Sequence, residues 1–256
     1  MTEPDPIAAI LSYHRLSKHR PDGYAPGPGY LDWANQPDPF RRFANCPRLR
    51  LALGADRLET GFDALFRPGA RTPATVDLAH LGLLLELSLG LAAWKSQGGN
   101  RWALRCNPSS GNLHPTEGYL VCPALPGIEA GVLHYQSHDH CLEQRLAIDD
   151  SAWNRILDGQ VLVALSSIAW REAWKYGARA YRYCQLDAGH ALAALRYAAA
   201  ALGWQARLLT GHSDSSIAAL LGLDREQDFA GAETESPELL LAVGPAPTDC
   251  ELRELL

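Results

Sequence analysis

A polar loop over residues 105–119 constrains the fold of this chain more than any other feature of its sequence. It reads Arg-Cys-Asn-Pro-Ser-Ser-Gly-Asn-Leu-His-Pro-Thr-Glu-Gly-Tyr. Residues 100–104 before it and 119–122 after it have the patterns of short β-strands. Proline favours extended backbone at the residue before it, and Gly111 can take positive φ or let a flat ligand approach closely. The loop therefore indicates a small-molecule site between two strands. The alternative is an ordinary capped turn, which is built from the same residue types.

The order of residues inside the loop carries a family resemblance. Residues 108–115, Pro-Ser-Ser-Gly-Asn-Leu-His-Pro, resemble the flavin loop of the nitroreductase superfamily. With Arg105 before it and Pro-Thr-Glu-x-Tyr at its end, the longer pattern is similar to the SagB-type (ThcOx-type) dehydrogenases. In that family the loop lies against the isoalloxazine ring of FMN, so the resemblance implies an FMN-binding flavoprotein. The cofactor-binding residues implied here are Arg105, Pro108, Ser109, Ser110, Gly111 and Asn112.

A second block, residues 170–183, mixes five aromatic residues with four arginines and lysines. Aromatic faces can line a planar ring and arginine can bind phosphate or carboxylate, but a helix with packed aromatics and solvated cations has the same composition. The block is similar to one in the SagB-type dehydrogenases, whose azoline-oxidising members use an adjacent Lys–Tyr pair. Lys175 and Tyr176 match that pair and are the implied catalytic residues. His190 shares a predicted helix stripe with Tyr183 and Leu186, which favours a core histidine.

A third block departs from the family pattern. Nitroreductases usually place an Arg-Ser-x-Arg motif before the first core helix, where it holds the FMN phosphate. Residues 66–73 offer only Arg67 and Arg71, a degenerate version of that motif. Related proteins often carry two such domains in tandem. Two alternatives to a complete flavoprotein are therefore open. The chain is half of a longer protein, or it is a half that has lost its flavin.

Composition excludes several other classes. The net charge of −6 and pI near 5.8 argue against a general nucleic-acid binder. The six cysteines lack any Cys-x-x-Cys pair, which favours reduced thiols in a cytoplasm. Residues 78–94 are too short and too interrupted for a membrane span and are expected to form a buried helix. The cluster His134, His138, Asp139, His140 and Cys141 falls on a hairpin turn, so no metal site is predicted.

Periodicity predicts an α+β fold: a mixed sheet of roughly five strands packed with helices, which the resemblance places in the nitroreductase-like three-layer sandwich. A helix is predicted from Thr75 until Gly98-Gly99, and a hairpin over 131–146. Further helices are predicted at 151–157, 170–176, 183–204 and 213–221, and strands at 161–168, 205–209 and 238–243. Residues 1–74 are assigned to an N-terminal extension and 75–256 to the nitroreductase-like domain.

The resulting hypothesis is an FMN-dependent dehydrogenase that oxidises thiazoline or oxazoline rings in ribosomally made peptides. An NAD(P)H-dependent nitro or quinone reductase, and a flavin-free scaffold or peptide-binding homologue, are the alternatives. The resemblance also implies a homodimer with flavin between the subunits. Residues 19–48 would then wrap a neighbouring subunit and cover the aromatic residues Tyr24, Trp33 and Phe40.

Overall fold

The computed structural model describes residues 5–67, 69–148, 151–252 and 255, and its centre is an antiparallel sheet. The helices are α1 (Pro6–Ser17), α2 (Leu78–Ser88), α3 (Ser151–Ile156), α4 (Ala169–Tyr176), α5 (Ala180–Ala201) and α6 (Asp214–Leu221). The strands are β1 (Arg48–Arg50), β2 (Leu91–Gln97), β3 (Asn100–Arg105), β4 (Thr116–Cys122), β5 (Gly131–Gln136), β6 (Cys141–Ala147), β7 (Val161–Ser167), β8 (Gln205–Leu208) and β9 (Ser236–Gly244).

Seven of these strands form one sheet in the order β1-β6-β5-β4-β7-β9-β8. Every pairing in the described part of this sheet is antiparallel. The expectation of a mixed sheet was therefore wrong, and five strands were too few. All seven residues of β4 and of β7 are buried, because helices cover both faces of the sheet at its centre.

The helices lie on both faces, which confirms the three-layer α+β sandwich. On one face, α2 and α5 place Leu81, Leu85 and Leu195 against the sheet. On the other, α6 contributes Ile217 and Leu220 to a second apolar cluster, together with residues of the C-terminal segment. The long helix α5 thus belongs to one outer layer, and its N-terminal end follows α4 across a sharp corner.

The predicted long helix after Thr75 is correct only as far as Ser88. Gly90 closes the helix by donating to the carbonyl of Leu85 at 2.8 Å, and its Cα lies so close to Glu86 that a Cβ would come within 2.5 Å of the Glu86 carbonyl oxygen. Residues Leu91–Gln97 then form β2, which pairs with β3 through a two-residue turn. Gly98 and Gly99 have φ values of 57° and 84°, as such hairpin turns require.

The other predicted elements are confirmed with small shifts of their ends. The helix predicted at 183–204 begins three residues earlier, at Ala180, and ends at Ala201. His190 lies on this helix but is exposed, so its assignment as a core residue was wrong. Leu186 and Tyr197, on the same stripe, are also about half exposed, at 51% and 49%. The buried stripe of α5 runs instead through Asp187, Ala191 and Leu195.

The N-terminal segment packs onto its own chain. Strand β1 pairs with β6, and Phe43 is buried in the second apolar cluster. Arg41 is buried and forms an ion pair with Glu235 at 3.0 Å. Tyr24, Trp33 and Phe40 were expected to be exposed in a single chain. Tyr24 and Trp33 are exposed, whereas Phe40 packs against Trp94 and His138.

Among the described helices, none has the length and apolar composition needed to cross a membrane.

Candidate functional site

The polar loop between β3 and β4 is held in place mainly by the side chain of Asp187 on α5. Both carboxylate oxygens of Asp187 accept from the Ser110 backbone N–H at 3.0 Å, and one also accepts from the Ser110 hydroxyl at 2.9 Å. Ser109 Oγ accepts from the His114 N–H at 2.8 Å. Gly111 lies at the exposed tip with φ 63°. The loop is therefore a fixed structure whose backbone is open to a ligand only at its tip.

Asn112 and His114 fix the other side of the loop. Asn112 donates to the carbonyl of Ala103 at 2.8 Å, and its amide oxygen lies 3.1 Å from Nε2 of His114. Both residues have positive φ, 60° and 50°. Burial, and then the charge of Arg105, lower the pKa of His114 to about 3. His114 is thus a neutral imidazole at physiological pH.

Arg105 lies beneath the loop and not on its open tip. Its side chain is buried and donates to the carbonyls of Thr116 at 2.9 Å and Pro39 at 2.6 Å. Both terminal guanidinium nitrogens therefore have protein partners. In this position Arg105 joins the base of the loop to the N-terminal segment.

Lys175 and Tyr176, at the end of α4, meet the loop at Gly111. Lys175 Nζ donates to the Gly111 carbonyl at 3.3 Å, a contact across 64 residues of sequence. A Cβ on Gly111 would lie 2.5 Å from the Tyr176 hydroxyl and 2.9 Å from Lys175 Nζ. Only glycine leaves room for both side-chain ends at the loop tip. The fold thus brings together the two blocks that the sequence singled out separately.

Glu172 is a site residue that sequence reasoning missed. It is completely buried, and neither carboxyl oxygen has a hydrogen-bond partner in the described part of the chain. Burial, with a smaller contribution from Asp187, raises its pKa to about 9. On α4 it precedes Lys175 and Tyr176 by three and four residues, so all three share one helix face. At neutral pH the buried group is therefore an uncharged acid.

Tyr176 is uncharged at neutral pH as well. Burial, followed by the nearby Glu172, raises the pKa of its hydroxyl. The phenol is therefore a hydrogen-bond donor at the loop tip.

The single signal for Glu172 in the sequence was an acid three residues before Lys175, which is also typical of a solvated helix face.

A chain of buried charges underlies the loop. Glu117 on β4 accepts from Arg171 at 2.6 Å and lies 3.1 Å from His134, which in turn lies 3.1 Å from Glu143. Arg171 also donates to the His114 carbonyl at 2.5 Å and so connects this network to the loop. Burial opposes charge on Glu117, but Arg171 and His134 hold its pKa well below the ordinary value. Burial also opposes charge on His134, whose pKa is nevertheless raised by its bonds to Glu117 and Glu143.

The histidines of the hairpin do not form a metal cluster. His134 is buried within the ion network, whereas His138 bonds to Asp139 and His140 to Tyr135 in the turn. In the residues that the structure describes, no group of three or more metal-binding side chains is arranged to hold an ion.

Arg67 and Arg71 lie in a separate groove of about 750 Å³ between residues 64–67 and 69–71 on one side and the C-terminal half of α5 on the other. Arg196 of α5 adds a third cation, and Phe66 and Tyr197 add aromatic walls. Arg71 donates to the hydroxyl of Thr60. Arg196 follows Asp187 by nine residues, which places it about 14 Å along the helix and on its opposite side. The structure therefore does not bring the arginines to the loop. The loop and the arginine groove, the two half-sites, face opposite sides of α5.

Comparison with known proteins identifies the family. The Nitroreductase family matches residues 72–244, well over half of the chain. The chain belongs to the nitroreductase family. Members of this family are generally flavin-dependent oxidoreductases and typically bind FMN. No match was found among curated proteins.

Solved structures support the same fold. A provisionally assigned nitroreductase from Anabaena variabilis superimposes with a TM-score of 0.68 and 26% identity, covering 91% of this chain. That alignment spans only 45% of the Anabaena chain, so this nitroreductase-family chain covers less than half the length of that relative. A second provisionally assigned nitroreductase, from Ralstonia eutropha, has a TM-score of 0.57 at 19% identity and covers 79% of this chain and 90% of its own.

A third similar fold occurs in the E. coli microcin synthetase McbBCD complex with truncated pro-MccB17 bound. It has a TM-score of 0.54 at 17% identity and covers 96% of this chain and 95% of its own. At this level of identity the likeness establishes the fold alone.

The residues present fit FMN as two half-sites. At the loop, Gly111 is exposed beside the ends of Lys175 and Tyr176, and the buried atoms Asn107 Oδ1, His114 Nδ1 and Thr116 Oγ1 have no hydrogen-bond partner in the described chain. At the groove, Arg67, Arg71 and Arg196 supply the cations that a phosphate requires. Since α5 lies between these half-sites, one chain does not offer both to a single flavin.

Proposed function

We propose that this nitroreductase-family chain is an FMN-dependent dehydrogenase that oxidises thiazoline or oxazoline rings in ribosomally made peptides. The observation that carries the proposal is the contact of Lys175 and Tyr176 with Gly111 at the tip of the flavin loop. A nitro or quinone reductase needs no such Lys–Tyr pair at that place.

The reaction requires the ring to lose a hydride from one carbon and a proton from its neighbour. Bound FMN would supply the two-electron acceptor. In the proposed step the Lys175 side chain accepts the proton from the ring carbon, and the electron pair of that C–H bond becomes part of the new ring double bond. The Tyr176 phenol donates a hydrogen bond that orients the ring, since its raised pKa keeps it protonated. Glu172, uncharged at neutral pH, places no buried anion on the same helix face.

We also propose that the flavin site is completed by a second domain of the same kind. The loop of one copy and the arginine groove of the other would hold one FMN, because the two half-sites face opposite sides of α5. The partner is a second copy of this chain in a homodimer, or a tandem domain in a longer protein. Light scattering of the isolated chain should give about twice 27.9 kDa at micromolar concentration. A monomer that binds FMN at every concentration would contradict the composite site.

Flavin binding is the first test of the function. Protein incubated with FMN and desalted should retain absorbance near 450 nm, with an affinity of roughly micromolar. A colourless protein that takes up no FMN would favour the flavin-free scaffold.

The catalytic pair is the second test. Lys175→Ala and Tyr176→Phe should lower azoline oxidation by about 10²–10⁴-fold, the usual effect of losing a positioned base or acid, while retained FMN stays unchanged. Lys95→Ala is the matched control, because Lys95 is exposed on the β2–β3 hairpin. Wild-type turnover in both variants, or turnover of nitroaromatics with NAD(P)H but not of azoline peptides, would instead support the reductase.

A further inference from the structure

The corner between α4 and α5 carries a concentration of positive charge that the flavin chemistry does not use. The last turn of α1 and the segment after it pack on this corner. Arg182 donates to Ser17 Oγ at 3.1 Å and to the carbonyl of His14 at 3.2 Å, and Arg179 lies 2.8 Å from His19 Nε2. The basic corner is defined as Arg179 and Arg182 together with the exposed cations next in sequence to His14, Ser17 and His19, which are Arg15, Lys18 and Arg20.

The charges of the basic corner are not neutralised within the described part of the chain. None of the five cations forms an ion pair with a described carboxylate. Asp22 and Asp32 are the exposed acids of residues 18–36, so the corner has five cations against two acids. Glu172 and Asp187, the acids beneath it, are buried. The whole chain carries −6, and removing this +3 leaves −9 for the rest.

Arg179 and Arg182 are held in fixed orientations by groups that are not carboxylates. Arg179 bonds to His19 and to the Tyr183 hydroxyl at 3.2 Å, and its guanidinium lies 5.3 Å from the centre of the Tyr176 ring. A guanidinium that is oriented without being neutralised is suited to bind a carboxylate. Because Arg179 lies beside Tyr176, a carboxylate bound to Arg179 would lie next to the peptide residue whose ring is oxidised.

We propose that the basic corner binds an acidic stretch of the peptide substrate, next to the ring to be oxidised. This inference rests on the proposed function for its substrate and adds the charge of the sequence that the enzyme selects. A long nucleic acid fits less well, because the rest of the chain is strongly negative and would repel it. Exposed Tyr24 and Tyr181, at 90% and 62%, flank the cations and offer apolar contact to peptide side chains.

The experiment measures binding without turnover. The FMN-treated protein is titrated into a short fluorescein-labelled peptide of alternating glutamate and serine, and anisotropy is followed. The comparison probes are the same peptide with lysine or glutamine replacing glutamate, and a short single-stranded DNA. The acidic peptide should bind in the micromolar range and weaken as salt is raised, whereas the neutral and basic peptides should bind at least roughly tenfold more weakly.

Charge reversal locates the site. The double variant Arg15→Glu, Lys18→Glu alters two exposed side chains and should weaken the acidic peptide by roughly tenfold. The matched control Arg50→Glu, Arg57→Glu makes the same change in net charge at exposed positions elsewhere and should alter affinity less than about twofold. Equal effects of the two double variants, equal binding of acidic and neutral peptides, or tighter binding of the DNA would overturn the proposal.

The outcome can be separated from that of the proposed function. Acidic-peptide binding that follows these variants in a protein that retains no FMN supports the basic corner and contradicts the flavin chemistry. Azoline oxidation by a protein that does not prefer the acidic peptide contradicts the basic corner alone.

Discussion

The two half-sites of this chain differ in how firmly the fold holds them. At the loop, the N–H and hydroxyl of Ser110 donate three hydrogen-bond contacts to the buried carboxylate of Asp187, and a network of buried charges lies underneath. At the groove, Arg67 is exposed, and within the described residues the side chain of Arg71 has one hydrogen-bond partner, Thr60. The difference indicates that the loop is shaped without a ligand, whereas the groove arginines are held by few contacts within the described chain. Substitutions beneath the loop should therefore affect folding, and those in the groove should affect ligand binding.

The largest effect is expected from Glu117→Ala, beneath the loop. Removing this carboxylate leaves Arg171 buried without its anion and takes from His134 one of its two carboxylate partners. Breaking a buried ion pair in this way typically costs about 3–5 kcal/mol of unfolding free energy, which urea denaturation can measure. Arg207→Ala, which breaks the exposed pair with Asp249, is the control and should leave the unfolding midpoint nearly unchanged. Similar midpoints for the two variants would mean that the buried network does not support the fold.

Substitutions in the groove should affect FMN binding instead of folding. Arg196→Ala and Arg71→Ala remove charged hydrogen-bond donors worth about 1.5–3 kcal/mol each, so FMN should bind about 10–100-fold more weakly. Unfolding in the absence of FMN should be unaffected for Arg196→Ala, because this side chain is exposed. Fluorescence titration of FMN measures the affinity, with Arg50→Ala as a control on strand β1. Unchanged FMN affinity in both groove variants would place the phosphate elsewhere.

An intermediate, pH-dependent effect is expected at Glu172. Its pKa is raised to about 9 in the folded chain from an ordinary 4.5, so its neutral form is favoured by folding. The stability associated with this group is complete below pH 4.5 and is lost as pH rises through 9. Glu172→Gln cannot ionise, so its melting temperature relative to wild type should increase steadily between these pH values.

The control for this trend is Glu226→Gln at an exposed position. It should keep a constant difference from wild type across the same pH range. A flat difference for Glu172→Gln as well would show that Glu172 is ionised in the folded protein.

The smallest effect is expected at His190, on the exposed stripe of the helix that separates the half-sites. His190→Ala should change the unfolding free energy by less than about 0.5 kcal/mol, as surface substitutions usually do. Asp187→Ala, three residues earlier on the buried stripe, removes the anchor of Ser110 and should destabilise the protein more. An equal loss in the two variants would restore His190 to the core.

Much of the architecture could be predicted because its signals are local. Hydrophobic periodicity and capping residues predicted α4, α6 and the hairpin of β5 and β6, since each depends on neighbours within a few residues. The error at β2 has the same origin: Leu91 continues the apolar pattern of α2, and Gly98-Gly99 was interpreted as a helix end instead of a hairpin turn. The sheet was predicted as mixed because the direction of a strand depends on its partner, which a local pattern does not contain.

The residue types of the site were likewise visible in the sequence, but their arrangement was not. The sequence by itself determined a polar, glycine-tipped loop, a Lys–Tyr pair and two arginines ahead of the first core helix. Only the tertiary structure decided that Gly111 meets Lys175 and Tyr176, that Arg105 points beneath the loop, and that Arg67 and Arg71 lie across α5 from it. It also buried Glu172 and surrounded Glu117 with cations. The physical reason is that burial and charge pairing are set by residues far apart in the chain, whereas a sequence pattern reports only what lies nearby.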